Sequence, residues 1–443
     1  MKRILAGASL VALGLGCASA QADDAPDDSW LPPYISLHAQ MTFVDQFHPR
    51  FTASYTGPNS LNPGNRGDET WDATLFLGLR VWDGGALYWN PELDQGFGIS
   101  HTLGVAGFPS GEAYKVGKDT PYLKTQRIFF RQTFDLGGDV KQDNDDVNQV
   151  AGSHTADNLI LTLGKFSVVD IFDTNQYAHD PRADFLNWSI IDTGAFDYAA
   201  DAWGYTVGGT AEWTQDWWTL RGGFFALSTV PNSKDIDADF KQYEIDAEAE
   251  GRYKLWDHDG KLKIMGFVNR GRMGSYEDAV ALGLATHTVP NTALVRLYRG
   301  RPGGTLNLEQ GLTDDLGFFL RAGLNDGSKE AYEFTEINQT VSAGLALKGT
   351  SWSRPDDTVG IAGVVNGISH AARDYFAHGG LGILIGDGQL PHYGTENIAE
   401  AYYSAQLAKW LTTSLDYQFI DHPAYNPDRG PVSVFGFRVH AAF

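Results

Sequence analysis

The chain has 443 residues and a formal net charge of −22, with 51 glycines, 13% aromatic and 42% hydrophobic residues, and one cysteine. So acidic a surface repels nucleic acid, and a lone cysteine excludes an internal disulfide framework. A soluble chain of this length would hold two or three domains. Abundant glycine and aromatics with modest hydrophobicity instead match a barrel wall, in which only alternate side chains meet lipid.

The first predicted element is a leader. Lys2 and Arg3 form a positive start, Ile4 to Leu15 an apolar stretch, and Ala18-Ser19-Ala20 and Ala20-Gln21-Ala22 are small-x-small cleavage sites. Residues 1–22 are therefore read as a removed secretory signal that carries the only cysteine, Cys17. Gly14 stands three before Cys17, where a lipidation signal has a large aliphatic residue. Losing Lys2 and Arg3 takes the charge from −22 to −24. Residues 23–38, rich in Asp and Pro, are assigned to the periplasm. After the leader no apolar run is long enough for a helical membrane span.

Alternating segments then recur along the chain, and the pattern predicts strands at 39–47, 71–82, 85–91, 127–135, 158–168, 203–213, 217–228 and 240–256. They continue at 260–273, 303–312, 316–325, 338–349, 358–369, 396–409, 412–422 and 432–443. Sixteen is an even number, as single-chain bacterial barrels have. Links after even strands are short turns, such as Asp83-Gly84-Gly85 and Asp257-His258-Asp259-Gly260. Links after odd strands are long: 48–70, 92–126, 169–202, 274–302 and 370–395. Short periplasmic turns and long external loops are the asymmetry of outer-membrane barrels. Residues 136–157 break the rule. Their stretch Asp143-Asn144-Asp145-Asp146 lacks the glycine and distal glutamate of a calcium loop, and is read as a solvated turn.

Alternation also assigns faces. Leu159, Leu161 and Leu163 are predicted to face lipid. Tyr243, Ile245, Ala247 and Ala249 face lipid, which turns Glu244, Asp246, Glu248 and Glu250 toward a water-filled lumen, since unpaired buried charge is costly. Trp71, Trp82, Trp203, Trp213, Trp217, Trp218, Trp256 and Trp410 sit at predicted strand ends, as an interfacial girdle would. In the last strand Phe435, Phe437, Val439 and Phe443 share one face, as a closing barrel strand requires.

No nucleophile elbow, histidine-glutamate zinc helix or phosphate-cradling glycine loop is present, so the chain is not read as an enzyme, and no cofactor or metal is expected. The segment 165–204 is the most unusual, because it mixes aromatics with carboxylates, amides and Arg182 over some thirty residues without a strand. Such a loop is suited to fold into the lumen and narrow it. Aromatic platforms suit the apolar face of a sugar, and Asp, Asn and Arg suit its hydroxyls. Asp173, Asn175, Arg182 and Trp188 are the candidate contacts. Inward-facing Arg80, Arg127, Arg131, Arg221, Arg321 and Arg438 are placed opposite Glu244, Asp246 and Glu248, where opposed charges order water across the pore.

The run KFSVVDIFDTNQYAHDPRADFLNWSIIDTGAFDYAADAWGY resembles the signature stretch of the carbohydrate-selective porin family, the OprB type. HAQMTFVDQFHPRF…SYTGPNSL and PAYNPDRGPVSVFGFRVHAAF resemble that family's two ends. The resemblance implies a transmembrane antiparallel β-barrel of about 16 strands, a third external loop folded inward, and passive diffusion of small neutral sugars such as glucose. A general porin, or one for small anions, aromatics or polar nutrients, is the alternative. The expected setting is the outer membrane of a Gram-negative bacterium. The expected partners are its lipids and lipopolysaccharide, and the barrel-assembly machinery, reached through the strand ending in Phe443, with the barrel a monomer.

Overall fold

The computed structural model describes residues 31–443. The expected leader, residues 1–22, lies outside the described residues. Sixteen antiparallel strands close into one barrel. They are β1 (Ile35–His48), β2 (Arg66–Trp82), β3 (Gly85–Gly96), β4 (Lys118–Asp143), β5 (Gly152–Phe166), β6 (Thr206–Gln215), β7 (Trp218–Ala226) and β8 (Tyr243–Leu255). The circuit continues through β9 (His258–Gly274), β10 (Arg296–Gly311), β11 (Leu316–Asn325), β12 (Gln339–Gly349), β13 (Arg354–Gly367), β14 (Glu396–Ala408), β15 (Leu411–Asp421) and β16 (Val432–Ala442). Each contains or overlaps a predicted strand, and the largest disagreements are at the ends. β1 starts at Ile35, inside the stretch assigned to the periplasm, and β4 is 26 residues long.

Closure comes from β1 against β16, in register from Gln40↔Ala442 to Phe47↔Phe435. It leaves no unpaired edge, which a sheet in hydrocarbon requires. Phe443 exchanges both backbone hydrogen bonds with Ala39 at 2.8 and 3.0 Å and stacks on Trp410 at 5.6 Å. Removing Phe443 is expected to lower the yield of folded, heat-modifiable barrel while secretion continues. Unchanged yield on a native gel would remove Phe443 from the closure.

The alternation survives strand by strand. Ile245, Leu163, Phe435 and Phe437 are exposed on the outer wall, whereas Glu244, Asp246, Glu248 and Arg438 point inward. Trp82, Trp213, Trp217, Trp256 and Trp410 are exposed beside the short turns, forming a girdle at that rim. Trp203 does not belong to it. It precedes β6, donates to the Tyr122 hydroxyl at 3.0 Å and lies under the Lys124 ammonium.

The interior is where expectation and structure part. The loop 97–117 after β3 and the loop 167–205 after β5 are buried inside the barrel, so much of the lumen is packed with protein. Such a course needs a partner for every buried backbone amide and carbonyl. The inward polar side chains of the opposite wall supply them. Glu396 accepts from Ala106 and Gly107 at 2.9 and 2.7 Å, and Gln46 and Gln418 both donate to the Pro109 carbonyl. Glu400 accepts from Leu186 and Asn187, and Arg438 donates to the carbonyls of Pro181, Ala183 and Asp184. The wall is polar inside largely because it holds two loops.

Candidate functional site

Between these loops and the β1–β4 wall lies a cavity of about 480 Å³, a size suited to a small molecule. Loop 97–117 contributes Glu112, Tyr114 and Lys115, and loop 167–205 contributes Asp170, His179, Arg182, Trp188 and Asp192. The wall adds Gln40, Arg127 and Arg131. Loop 167–205 reaches this position through local capping. Ser167 and Asp170 form a reciprocal cap on one helical turn, and Asn187 caps Trp188–Ile191 by accepting from Ser189 at 3.1 Å.

The floor comes from the short-turn side. β4 and β5 run past the rim as a hairpin whose register slips at Gly137. Gly137 and Gly138 have φ of 126° and 83°, a conformation that favours glycine and re-aims the hairpin. Its tip then returns into the barrel mouth. Asp145 pairs with His38 at 3.1 Å, Asn148 accepts from Asn90 at 2.9 Å, and Arg131 donates to the Asn148 carbonyl at 3.0 Å. Val147, Asn148 and Gln149 line the cavity. The turn expected at Asp143-Asn144-Asp145-Asp146 stays solvated at Asn144 and Asp146, which are exposed, but Asp145 and Asn148 fasten it across the barrel mouth to inward side chains of β1, β3 and β4. Replacing residues 139–151 with an Asn-Gly turn is expected to raise single-channel conductance severalfold without loss of folding. Unchanged conductance would place the narrowest point elsewhere.

Of the candidate residues, Arg127, Arg131, Arg182 and Trp188 meet at the cavity. Arg127 makes a two-pronged pair with Asp170 at 2.7 and 2.6 Å. Arg182 lies 3.4 Å from Glu112, 3.6 Å from Asp72 and 3.7 Å from Glu92. Trp188 differs from expectation. Phe108 and Phe334 stack on it at 5.1 and 5.3 Å, so neither face is free for a sugar, and only its edge reaches the cavity region.

The other candidates build the scaffold. Asp173, fully buried, accepts from Thr193 and Asn307, and Arg321 donates to its carbonyl and to that of Ile190. Asn175 donates to Asn307 at 2.8 Å. Glu244, Asp246 and Glu248 point inward as read, but the water-filled lumen expected in front of them is replaced by loop 167–205 and all three are buried. Glu248 accepts from the Asp173 amide at 3.0 Å. Arg221 does not face that row across the pore. It pairs with it directly, at 2.8 Å to Glu248 and 2.9 Å to Glu250. Arg80 lies near the short-turn rim, beside Gly152.

Nothing in the sequence marks Glu112, Tyr114, Lys115 or Asp192 as cavity residues, and the hairpin tip reads there only as a turn. Their loop's length was visible, but nothing local marked its aim. Burial pushes the Asp192 carboxyl up to about 7, reinforced by the neighbouring Asp173. Burial also raises Glu112, against the pull of the Arg182 guanidinium. Several polar atoms around the cavity have no hydrogen-bond partner among the described residues. The donors are Lys115 Nζ, Arg182 Nε and Trp188 Nε1, and the acceptors are Glu112 Oε2 and Asp192 Oδ1.

The barrel is similar to the high-pH structure of OprB from Pseudomonas putida, with a TM-score of 0.69 at 14% identity over 93% of this chain and 94% of that one. The outer-membrane channel DcaP of Acinetobacter baumannii aligns over 92% of this chain and 97% of its own, at 9% identity and a TM-score of 0.48. No curated protein matches by sequence. The description "Carbohydrate-selective porin, OprB family" matches residues 58–443. The chain therefore belongs to the carbohydrate-selective porin, OprB family, of outer-membrane β-barrels.

Proposed function

We propose that this barrel is a passive diffusion channel for small neutral sugars, glucose among them, and that the cavity between the two inward loops and the hairpin tip is where the sugar passes. One observation carries the reading. Four cations, Lys115, Arg127, Arg131 and Arg182, and four carboxylates, Glu112, Asp170, Asp180 and Asp192, line the same cavity. Such a lining has no single-sign field to select an ion. A sugar hydroxyl both donates and accepts, and so matches a wall on which donors and acceptors stand side by side. One barrel encloses the whole cavity, so a single copy suffices for permeation.

The test is swelling of liposomes holding the full chain, with neutral hexoses compared with gluconate and glucosamine. Neutral hexoses are expected to enter faster than either charged analogue and to reduce the ion current. Equal entry of all three would favour the general-porin reading. Faster entry of gluconate would favour an anion channel.

A further inference from the structure

We propose that the external rim of the outer wall across β8, β9 and β10 is a binding site for the phosphorylated headgroup of lipid A, held by Arg270 and Arg272 with Lys241 beside them. β9 runs from the short turn at Trp256-Asp257 to the long loop 275–295, so its last residues lie at the external end. Its lipid-facing residues are Leu262, Ile264, Gly266 and Val268, an apolar series that then changes to Arg270 and Arg272. Both arginines are exposed. Arg270 faces Tyr243 across the ladder, and Arg272 faces Tyr298. Lys241, two residues before Tyr243 and just outside β8, is also exposed.

Three features make this more than a charged rim. First, neither guanidinium has a hydrogen bond or ion pair among the described residues, whereas Arg127, Arg182, Arg221, Arg296 and Arg301 all lie within ion-pair distance of carboxylates. Lys241 has only the exposed Asp239, at 2.9 Å. Second, the two arginines are crowded. As neighbours on one strand face they lie about 7 Å apart, a spacing at which like charges repel unless an anion sits between them. Third, an aromatic band lies beside them. Phe240 stacks on Phe224 at 5.3 Å, Tyr243 packs on Phe224 at 5.2 Å, and Tyr298 is exposed. Aromatic rings mark the interface, and cations just beyond it stand at phosphate height, where guanidinium binds phosphate in a two-pronged manner.

The outer leaflet of an outer membrane presents lipid A there, which selects this anion over a glycerophospholipid. Direct binding by the arginine pair stands against cation bridging, the other way a chain of charge −22 could meet an anionic leaflet.

The folded full chain in detergent is mixed with lipid A, with its dephosphorylated form, or with phosphatidylglycerol, with and without EDTA, and bound lipid is counted by native mass spectrometry. The parent chain is expected to retain lipid A over both others. The double variant Arg270→Gln/Arg272→Gln should bind it roughly thirtyfold more weakly while staying heat-modifiable. Arg270→Lys/Arg272→Lys should keep an intermediate affinity, because charge remains and the fork is lost. Undiminished binding by the glutamine variant would overturn the site. Equal retention of phosphatidylglycerol would overturn the choice of lipid A. Binding that vanishes in EDTA would overturn direct recognition in favour of cation bridging.

Discussion

Replacing Asp173 with alanine is expected to release loop 167–205 from the far wall and to open the channel. Asp173 sits where the loop turns back on itself. Its carboxylate accepts from the Thr193 amide at 2.6 Å and hydroxyl at 3.0 Å, and from Asn307 at 2.7 Å. The Arg321 guanidinium lies 3.5 Å away, and both side chains are fully buried. Removing one partner of a buried pair leaves the other charged and dry, at a cost of about 3–5 kcal/mol. The loop is the mobile side of this contact, because Arg321 is fixed in β11. Conductance should rise, sugar block should weaken, and the barrel should lose heat resistance on a native gel. Adding Arg321→Met should restore part of the heat resistance, since the stranded charge goes with it while the Asp173 and Ile190 carbonyls lose their donor, and should leave the channel open. Unchanged conductance in Asp173→Ala would mean that Glu400, Arg438 and Asn187 hold the loop without it.

The same residue shows what the sequence makes legible. The alternation that turns Glu248 inward and Ala249 outward is a local property with a period of two, and a one-residue slip would put carboxylates into lipid. It could be read from β8 alone. What lies in front of Glu248 depends on a loop seventy-five residues away in the chain. Periodicity carries no such information, so an inward carboxylate was read as wetted when it is a hydrogen-bond acceptor for the Asp173 amide. Asp173 itself was singled out as a solute contact and is a fastening instead. Trp188 illustrates the same limit: its presence in an aromatic–polar loop was visible, whereas the rings covering it come from Phe108 and Phe334, in two other loops. Glycines 137 and 138 did carry a local signal for a bend, but not its direction.

Arg182 is the candidate whose position makes it a test of selectivity. It is the one arginine in the segment 165–204, and the structure sets it among three buried carboxylates, Asp72, Glu92 and Glu112, at the edge of the cavity. Arg182→Ala removes the only cation among the described residues that lies near all three. The remaining negative potential should draw in cations, so the reversal potential in a potassium chloride gradient should shift toward cation preference. A charge-assisted hydrogen bond is worth about 1.5–3 kcal/mol, so half-block of the current should require roughly ten- to a hundredfold more sugar. Arg182→Lys keeps the charge but gives up the fork. It should hold the reversal potential near that of the parent chain while still weakening sugar block. That split separates the two roles of the residue. If alanine shifts the reversal potential and leaves sugar block untouched, Arg182 balances the carboxylates without touching the sugar. The contact then belongs to the other cations that line the cavity, Lys115, Arg127 and Arg131.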